Sequence, residues 1–129
     1  MSRTAAELAN LGRVLAMYRE VLVAMNPDKV DEHLSPRYIQ HSSLAEPGLE
    51  ALKRFLARVR KESPAARHTI HRSFVDGDHV IVHVHVVRWP GDPGLAAIDI
   101  FRCEDGAIVE HWDVVQEVPA HPINPNGMF

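Results

Sequence analysis

The apolar residues of this chain change their period at Pro64, and that switch limits the folds open to it. Before Pro64, Leu8, Leu11, Val14, Leu15, Tyr18, Val21, Leu22 and Met25 recur at helical spacing. They predict an amphipathic helix over about residues 4–25. Asn26-Pro27-Asp28 stops that helix and opens a short second one, with Val30 and Leu34 inward, ending at Ser35-Pro36. Tyr38-Ile39-Gln40-His41 reads as a brief extended piece before a loop, and Leu49, Leu52, Phe55, Leu56 and Val59 mark a third helix. After Pro64 the period is two, and strands are expected near 67–75, 79–89, 95–102 and 107–116. Asp76-Gly77-Asp78 and Glu104-Asp105-Gly106 supply the turn residues of hairpins. The tail after Val118 has no period and reads as irregular but docked.

Helices first and consecutive strands afterwards indicate α+β with an antiparallel sheet, in a single domain spanning residues 1–129. Three helices cover only one face of such a sheet. The strand at 79–89 carries Val80, Val82, Val84 and Val86 on one side and Ile81, His83, His85 and Val87 on the other, so neither side is simply polar. Both faces are therefore expected to be buried, the second by a partner subunit in a homodimer. A net charge of −3 without a basic cluster gives no nucleic-acid surface. One cysteine, Cys103, excludes an internal disulfide and fits a reducing, cytoplasmic compartment. The N-terminal stretch has charges inside it and reads as neither signal peptide nor membrane span.

Chemistry concentrates in the last hairpin. Asp99 lies inside an apolar strand, where a carboxylate is costly unless paired or hydrogen-bonded. His111 and Asp113 share one face of the next strand. If Asp105-Gly106 is a two-residue turn, Asp99 pairs with Trp112 and His111 points to the other face. If Glu104-Asp105-Gly106 is a three-residue loop, Asp99 sits opposite His111, with Asp113 two residues further along the same face. The three-residue loop is the expectation, because it also groups Ile98, Ile100, Arg102, Ile108 and Trp112. A His–Asp pair on a strand is equally often a structural hydrogen bond. His83 and His85 have the spacing of two ligands on one strand, yet no paired cysteines or nearby carboxylate accompany them, and no metal site is assigned. Tyr18 lies on the inner stripe of the first helix, and His41 sits where a side chain can face a cavity mouth.

The order helix, helix, strand, helix and four strands resembles the nuclear transport factor 2-like superfamily. The stretches Asp99-Ile100-Phe101-Arg102 and Asp105 to Gln116 resemble the C-terminal hairpin of its SnoaL-like polyketide cyclase group. His71-Arg72, Gly77-Asp78-His79-Val80 and Asn124-Pro125-Asn126-Gly127-Met128-Phe129 look like the group's aldol-condensation branch. The resemblance implies a cone-shaped, curved antiparallel sheet covered by three N-terminal helices, also described as a cystatin-like α+β barrel. Polyketide cyclases of this kind use a strand aspartate as general acid/base, and Asp113 stands at the similar position. Ketosteroid isomerases of similar fold use a tyrosine, a carboxylate base and a second aspartic acid, and Tyr18, His41 and Asp99 fall at similar positions. Here histidine replaces the carboxylate base.

These readings lead to an enzyme that removes a proton next to a carbonyl of a small apolar molecule, for aldol-type cyclisation or isomerisation. Asp113 or His41 would be the base, and Tyr18 or a protonated Asp99 would stabilise the oxyanion, with His111 orienting or protonating Asp113. No organic cofactor is expected, because no glycine-rich phosphate loop occurs. A non-catalytic ligand-binding protein and an epoxide-hydrolase-like water-activating enzyme are the alternatives.

Overall fold

The computed structural model describes residues 2–129. Helix α1 (Ala5–Met17) starts at a capping box, in which the Thr4 hydroxyl accepts from the Glu7 N–H and the Glu7 carboxylate accepts from the Thr4 N–H. Glu7 also accepts from the Gly77 N–H at 3.0 Å, which fastens the start of α1 to the tip of a hairpin far along the chain. These donors hold the Glu7 carboxyl below its ordinary range. The helix continues without a break as a π-helical stretch, Tyr18–Val23. Asn26 then caps the short turn Pro27–Lys29, which leads into α2 (Val30–His33). Helix α3 spans Leu49–Glu62.

Strands β1 (Leu34–Gln40), β2 (Arg67–Asp76), β3 (His79–Val87), β4 (Leu95–Glu104) and β5 (Ala107–Glu117) form one sheet in the order β1-β5-β4-β3-β2. The curved sheet is mixed and not closed. Its β2 to β5 part is the expected antiparallel meander, whereas β1 joins the far edge parallel to β5. The sequence assigned Ser35-Pro36 to a helix end. They instead lie inside β1, where the register to β5 slips between Leu34 and Ile39. A proline has no N–H for the ladder, so an edge strand with an irregular register is where it is tolerated.

The core lies between the helices and one face of the sheet. Val14, Met17, Tyr18, Val21, Val30, Leu34 and Leu56 pack there against Val80, Val82, Val84, Ala97, Phe101, Cys103 and Ile108. Strand β3 alternates as expected over most of its length, Val80, Val82 and Val84 fully buried and Ile81, His83 and His85 only half-buried on the outer face. The C-terminal tail crosses that outer face. Phe129 stacks on His71, His83 and His85, with ring centroids 4.7, 5.3 and 4.4 Å away. Phe74, Ile98 and Val114 remain exposed on the sheet.

Both predicted readings of the last hairpin need correction. Asp105 and Gly106 form a two-residue turn with φ of 50° and 81°, the left-handed pair that such a tight turn requires. Glu104 pairs with Ala107, and Cys103 with Ile108, but Arg102 pairs with Glu110. Val109 is thus an extra residue, a β-bulge. The bulge shifts the register by one, so Asp99 faces Asp113 directly and Phe101 faces His111. A bulge also explains why Ile108 is in the core and not beside Ile98 and Trp112 on the outer face.

Candidate active site

Three elements meet at Asp99. From the π-helical stretch, Tyr18 donates its hydroxyl to Asp99 Oδ2. From β5, His111 Nε2 lies 2.8 Å from Asp99 Oδ1. Side chains on facing antiparallel strands at diagonal positions come within such reach, and the bulge at Val109 brings these two to the same face. Asp99 retains only 7% of its exposure, His111 8% and Tyr18 2%, so the group is dry. Phe101 completes the wall, stacked on His111 at 4.6 Å and edge-on to Tyr18 at 6.1 Å. Burial first, and the Asp99 carboxylate second, push the Tyr18 phenol well above its ordinary pKa, so it stays a proton donor in this contact.

The chain of hydrogen bonds continues into β1. His111 Nδ1 lies 2.7 Å from Gln40 Oε1, and Gln40 Nε2 donates to the Tyr38 hydroxyl at 3.2 Å. The Ser42 backbone N–H also donates to Gln40 Oε1, at 3.0 Å. Burial raises the Tyr38 phenol as well. Tyr38 and Gln40 were outside the sequence-based site. Alternation along β1 was the signal that could have found them: if aromatic Tyr38 points to the core, Gln40 does too, and His41 points out.

That is where His41 is. Its Nε2 pairs with Glu110 at 2.7 Å, and its ring stacks on Trp112 at 4.9 Å and 2° on the outer face. Glu110 in turn accepts from Arg102 at 2.8 Å, and these two partners hold its carboxyl below the usual range. His41 therefore stands on the opposite side of the sheet from Asp99, Tyr18 and His111, not at the cavity mouth expected for it.

Asp113 shares the inner face with Asp99 and His111. It makes no side-chain hydrogen bond among the described residues, and it borders an open depression of about 280 Å³ lined also by Ser43, Leu44, Val114 and Val115. Ligating atoms of Asp99, His111 and Asp113 lie within 4.8 Å of one another. Two carboxylates and an imidazole are a possible cation donor set, yet both Asp99 oxygens and both His111 nitrogens are already engaged by neighbours, so a cation would have to displace that network. His83 and His85 share the outer face, but each is committed otherwise: Arg72 donates to His83 Nδ1, and His85 Nε2 donates to the Pro93 carbonyl at 2.8 Å. What the inner-face arrangement offers chemically is a buried, hydrogen-bonded histidine–aspartate pair beside one carboxylate open to a ligand.

Comparison with known proteins agrees with this architecture. Among solved structures, a candidate SnoaL-like polyketide cyclase from Jannaschia sp. CCS1 superposes with a TM-score of 0.74 at 20% identity, covering 89% of this chain and 90% of that one. A candidate polyketide cyclase from Acidithiobacillus ferrooxidans gives 0.70 at 19% identity, over 89% and 91%. AclR, a candidate hydroxylase from Streptomyces galilaeus, gives 0.71 at 19%, over 86% and 81%. No protein of curated function matches the sequence significantly. The sequence profile of the SnoaL-like domain matches residues 14–111, a span that holds Tyr18, Gln40, Asp99 and His111 and stops two residues short of Asp113. With three quarters of its length matched and its helices and five-stranded sheet arranged as in these structures, the chain belongs to the SnoaL-like family of the nuclear transport factor 2-like fold.

Proposed function

We propose that this protein is a small-molecule enzyme that removes a proton next to a carbonyl, with Asp113 as the base. One observation carries the reading: Asp113, without a hydrogen-bond partner, faces the fully engaged Asp99–His111 pair across β4 and β5 at the edge of a depression. In the reaction the Cα–H bond of the ligand breaks and its proton goes to an Asp113 oxygen. The electron pair forms the enolate, and the charge settles on the carbonyl oxygen. The proton held between Asp99 and His111 turns from that contact toward the carbonyl oxygen, which gives up the Asp99–His111 hydrogen bond and supplies one to the enolate in a water-poor setting, where such a bond counts most. The enolate then attacks a second carbonyl, which closes a ring and leaves an alkoxide that takes the proton from Asp113, or it takes that proton from Asp113 at another carbon, which isomerises the compound; either way Asp113 is a free carboxylate again. The polyketide cyclase descriptions of its structural relatives favour ring closure. His41, turned to the outer face, has no part in this scheme.

Non-catalytic binding of a small apolar ligand is the competing reading, and the self-contained Tyr18–Asp99–His111–Gln40 chain favours it in one respect: those groups satisfy each other. Asp113 is the exception that separates the two. A thermal-shift screen of cyclic and linear β-keto compounds finds ligands under either reading. Turnover of a hit by the wild type, lost in Asp113→Asn with binding retained, supports the enzyme. Equal behaviour of the two proteins rejects it.

The proposal extends to a homodimer through the outer face of the sheet, where Phe74, Ile98 and Val114 are exposed. It also extends to a reducing, cytoplasmic setting, in keeping with the buried free thiol of Cys103. Light scattering at micromolar concentration tests the dimer, which a monomer would refute.

A further inference from the structure

We infer that Gln40 is a positioning residue that sets which nitrogen of His111 carries a proton, and thereby keeps the Asp99–His111 pair loaded with one proton to give. This rests on the reading of the same site given above, but its test needs no substrate.

The orientation of the Gln40 amide follows from its neighbours. A backbone N–H can only donate, so the atom facing Ser42 N at 3.0 Å must be the amide oxygen. The same oxygen faces His111 Nδ1 at 2.7 Å. Two acceptors cannot share that contact, so Nδ1 bears a hydrogen. A neutral imidazole with its hydrogen on Nε2 is thus the one form this arrangement disfavours.

The other side of the ring then has a single solution. His111 Nε2 lies 2.8 Å from Asp99 Oδ1, and Tyr18 already donates to Oδ2. With Nδ1 protonated, the proton in the Nε2–Oδ1 contact belongs either to an imidazolium facing a carboxylate or to a carboxylic acid facing a neutral imidazole. In both cases the pair holds that proton, and its removal would leave two lone pairs opposed in a buried contact. Other groups near the pair do not compete for Nδ1. Asp113 faces Asp99 from β5, Tyr38 takes the amide nitrogen of Gln40, and Phe101 covers the ring face. Without Gln40 the ring would be free to place its hydrogen on Nε2, donate to a bare Asp99 carboxylate and leave Nδ1 empty. The pair would then hold one proton fewer.

The test is the ¹⁵N spectrum of the histidine side chains, with long-range ring correlations that distinguish a protonated from an unprotonated nitrogen, recorded between about pH 5 and 9 across the histidine range. In the wild type, Nδ1 of His111 stays protonated throughout. In Gln40→Leu the neutral ring moves its hydrogen to Nε2. In Gln40→Glu, whose carboxylate still accepts from both Ser42 N–H and Nδ1, the wild-type pattern returns. An unprotonated Nδ1 in the wild type overturns the inference without any variant, so a failure of Gln40→Leu to fold does not shield it. A Gln40→Leu spectrum identical to wild type also overturns it. Neither outcome bears on whether Asp113 is a base, which the turnover comparison decides separately.

Discussion

Replacing Asp99 by asparagine should leave the fold almost as stable as before, whereas replacing it by leucine should cost several kcal/mol. Both keep the branched outline of aspartate, although the bulkier leucine methyl groups also strain so buried a site. Hydrogen bonding separates the two further. In Asp99→Asn the Tyr18 hydroxyl donates to the amide oxygen, and the amide nitrogen donates to His111 Nε2, which is free to accept because Nδ1 carries the hydrogen toward Gln40. Every buried partner stays satisfied, and the expected change is within about 1 kcal/mol. In Asp99→Leu the Tyr18 hydroxyl and His111 Nε2 both lose their partner, and the leucine side chain fills the space a rescuing water would need. At about 1–3 kcal/mol for each orphaned buried group, the loss is about 2–6 kcal/mol, reduced somewhat by the added apolar burial. Urea unfolding followed by tryptophan fluorescence measures the difference, since Trp112 sits on β5 beside the site. Protein concentration is held constant, because association would shift the midpoints. If asparagine destabilises as much as leucine, the proposed proton arrangement is wrong. If both are neutral, the network contributes nothing to stability.

His41→Ala should leave any turnover intact and change stability by less than about 1 kcal/mol, since it removes a partly exposed ion pair with Glu110 on the outer face; loss of turnover in a folded variant would put His41 back in the mechanism. His68 is half-buried with its Nδ1 enclosed and unpartnered among the described residues, and desolvation depresses its pKa. The unfolded chain therefore binds that proton first, so this contribution is full above about pH 6.5 and declines as pH falls toward the folded-state value. Urea midpoints between pH 8 and 5 should accordingly fall less steeply for His68→Phe than for the wild type, and equal slopes would remove His68 as the cause. Gly94→Ala should destabilise by about 2–5 kcal/mol. Its φ is +94°, and an added Cβ would meet the Val86 carbonyl oxygen at 2.4 Å and the His85 ring at 2.5 Å, so a wild-type melting temperature would contradict that geometry.

The period switch at Pro64 was enough to place α1, α3 and the β2–β5 meander, because those elements are written in the spacing of their own apolar residues. The fold's less regular features were not. Nothing local in Ala107-Ile108-Val109-Glu110 announces a bulge, yet that one residue decides the register. A three-residue loop was expected to gather Asp99, His111 and Asp113. A two-residue turn plus one bulged residue puts the same three on one face, because side chains alternate and either insertion restores their parity. The π-helical stretch that carries Tyr18 has the apolar spacing of an ordinary helix and was invisible for that reason. The parallel docking of β1 is a long-range fact, set by the edge of a sheet formed much later in the chain, and with it came Gln40 and the outward turn of His41.

The account stands or falls on Asp113 taking a carbon-bound proton. Deuterium uptake at the α-carbon of a β-keto compound selected by thermal shift, followed by ¹H NMR in D₂O as the rate above buffer, reads that step without requiring the full reaction. Uptake with the wild type and its loss by about 10²-fold or more in Asp113→Asn, with the compound still bound, is the expected result. Equal uptake by the two proteins, or none by the wild type with the compound bound, would contradict it.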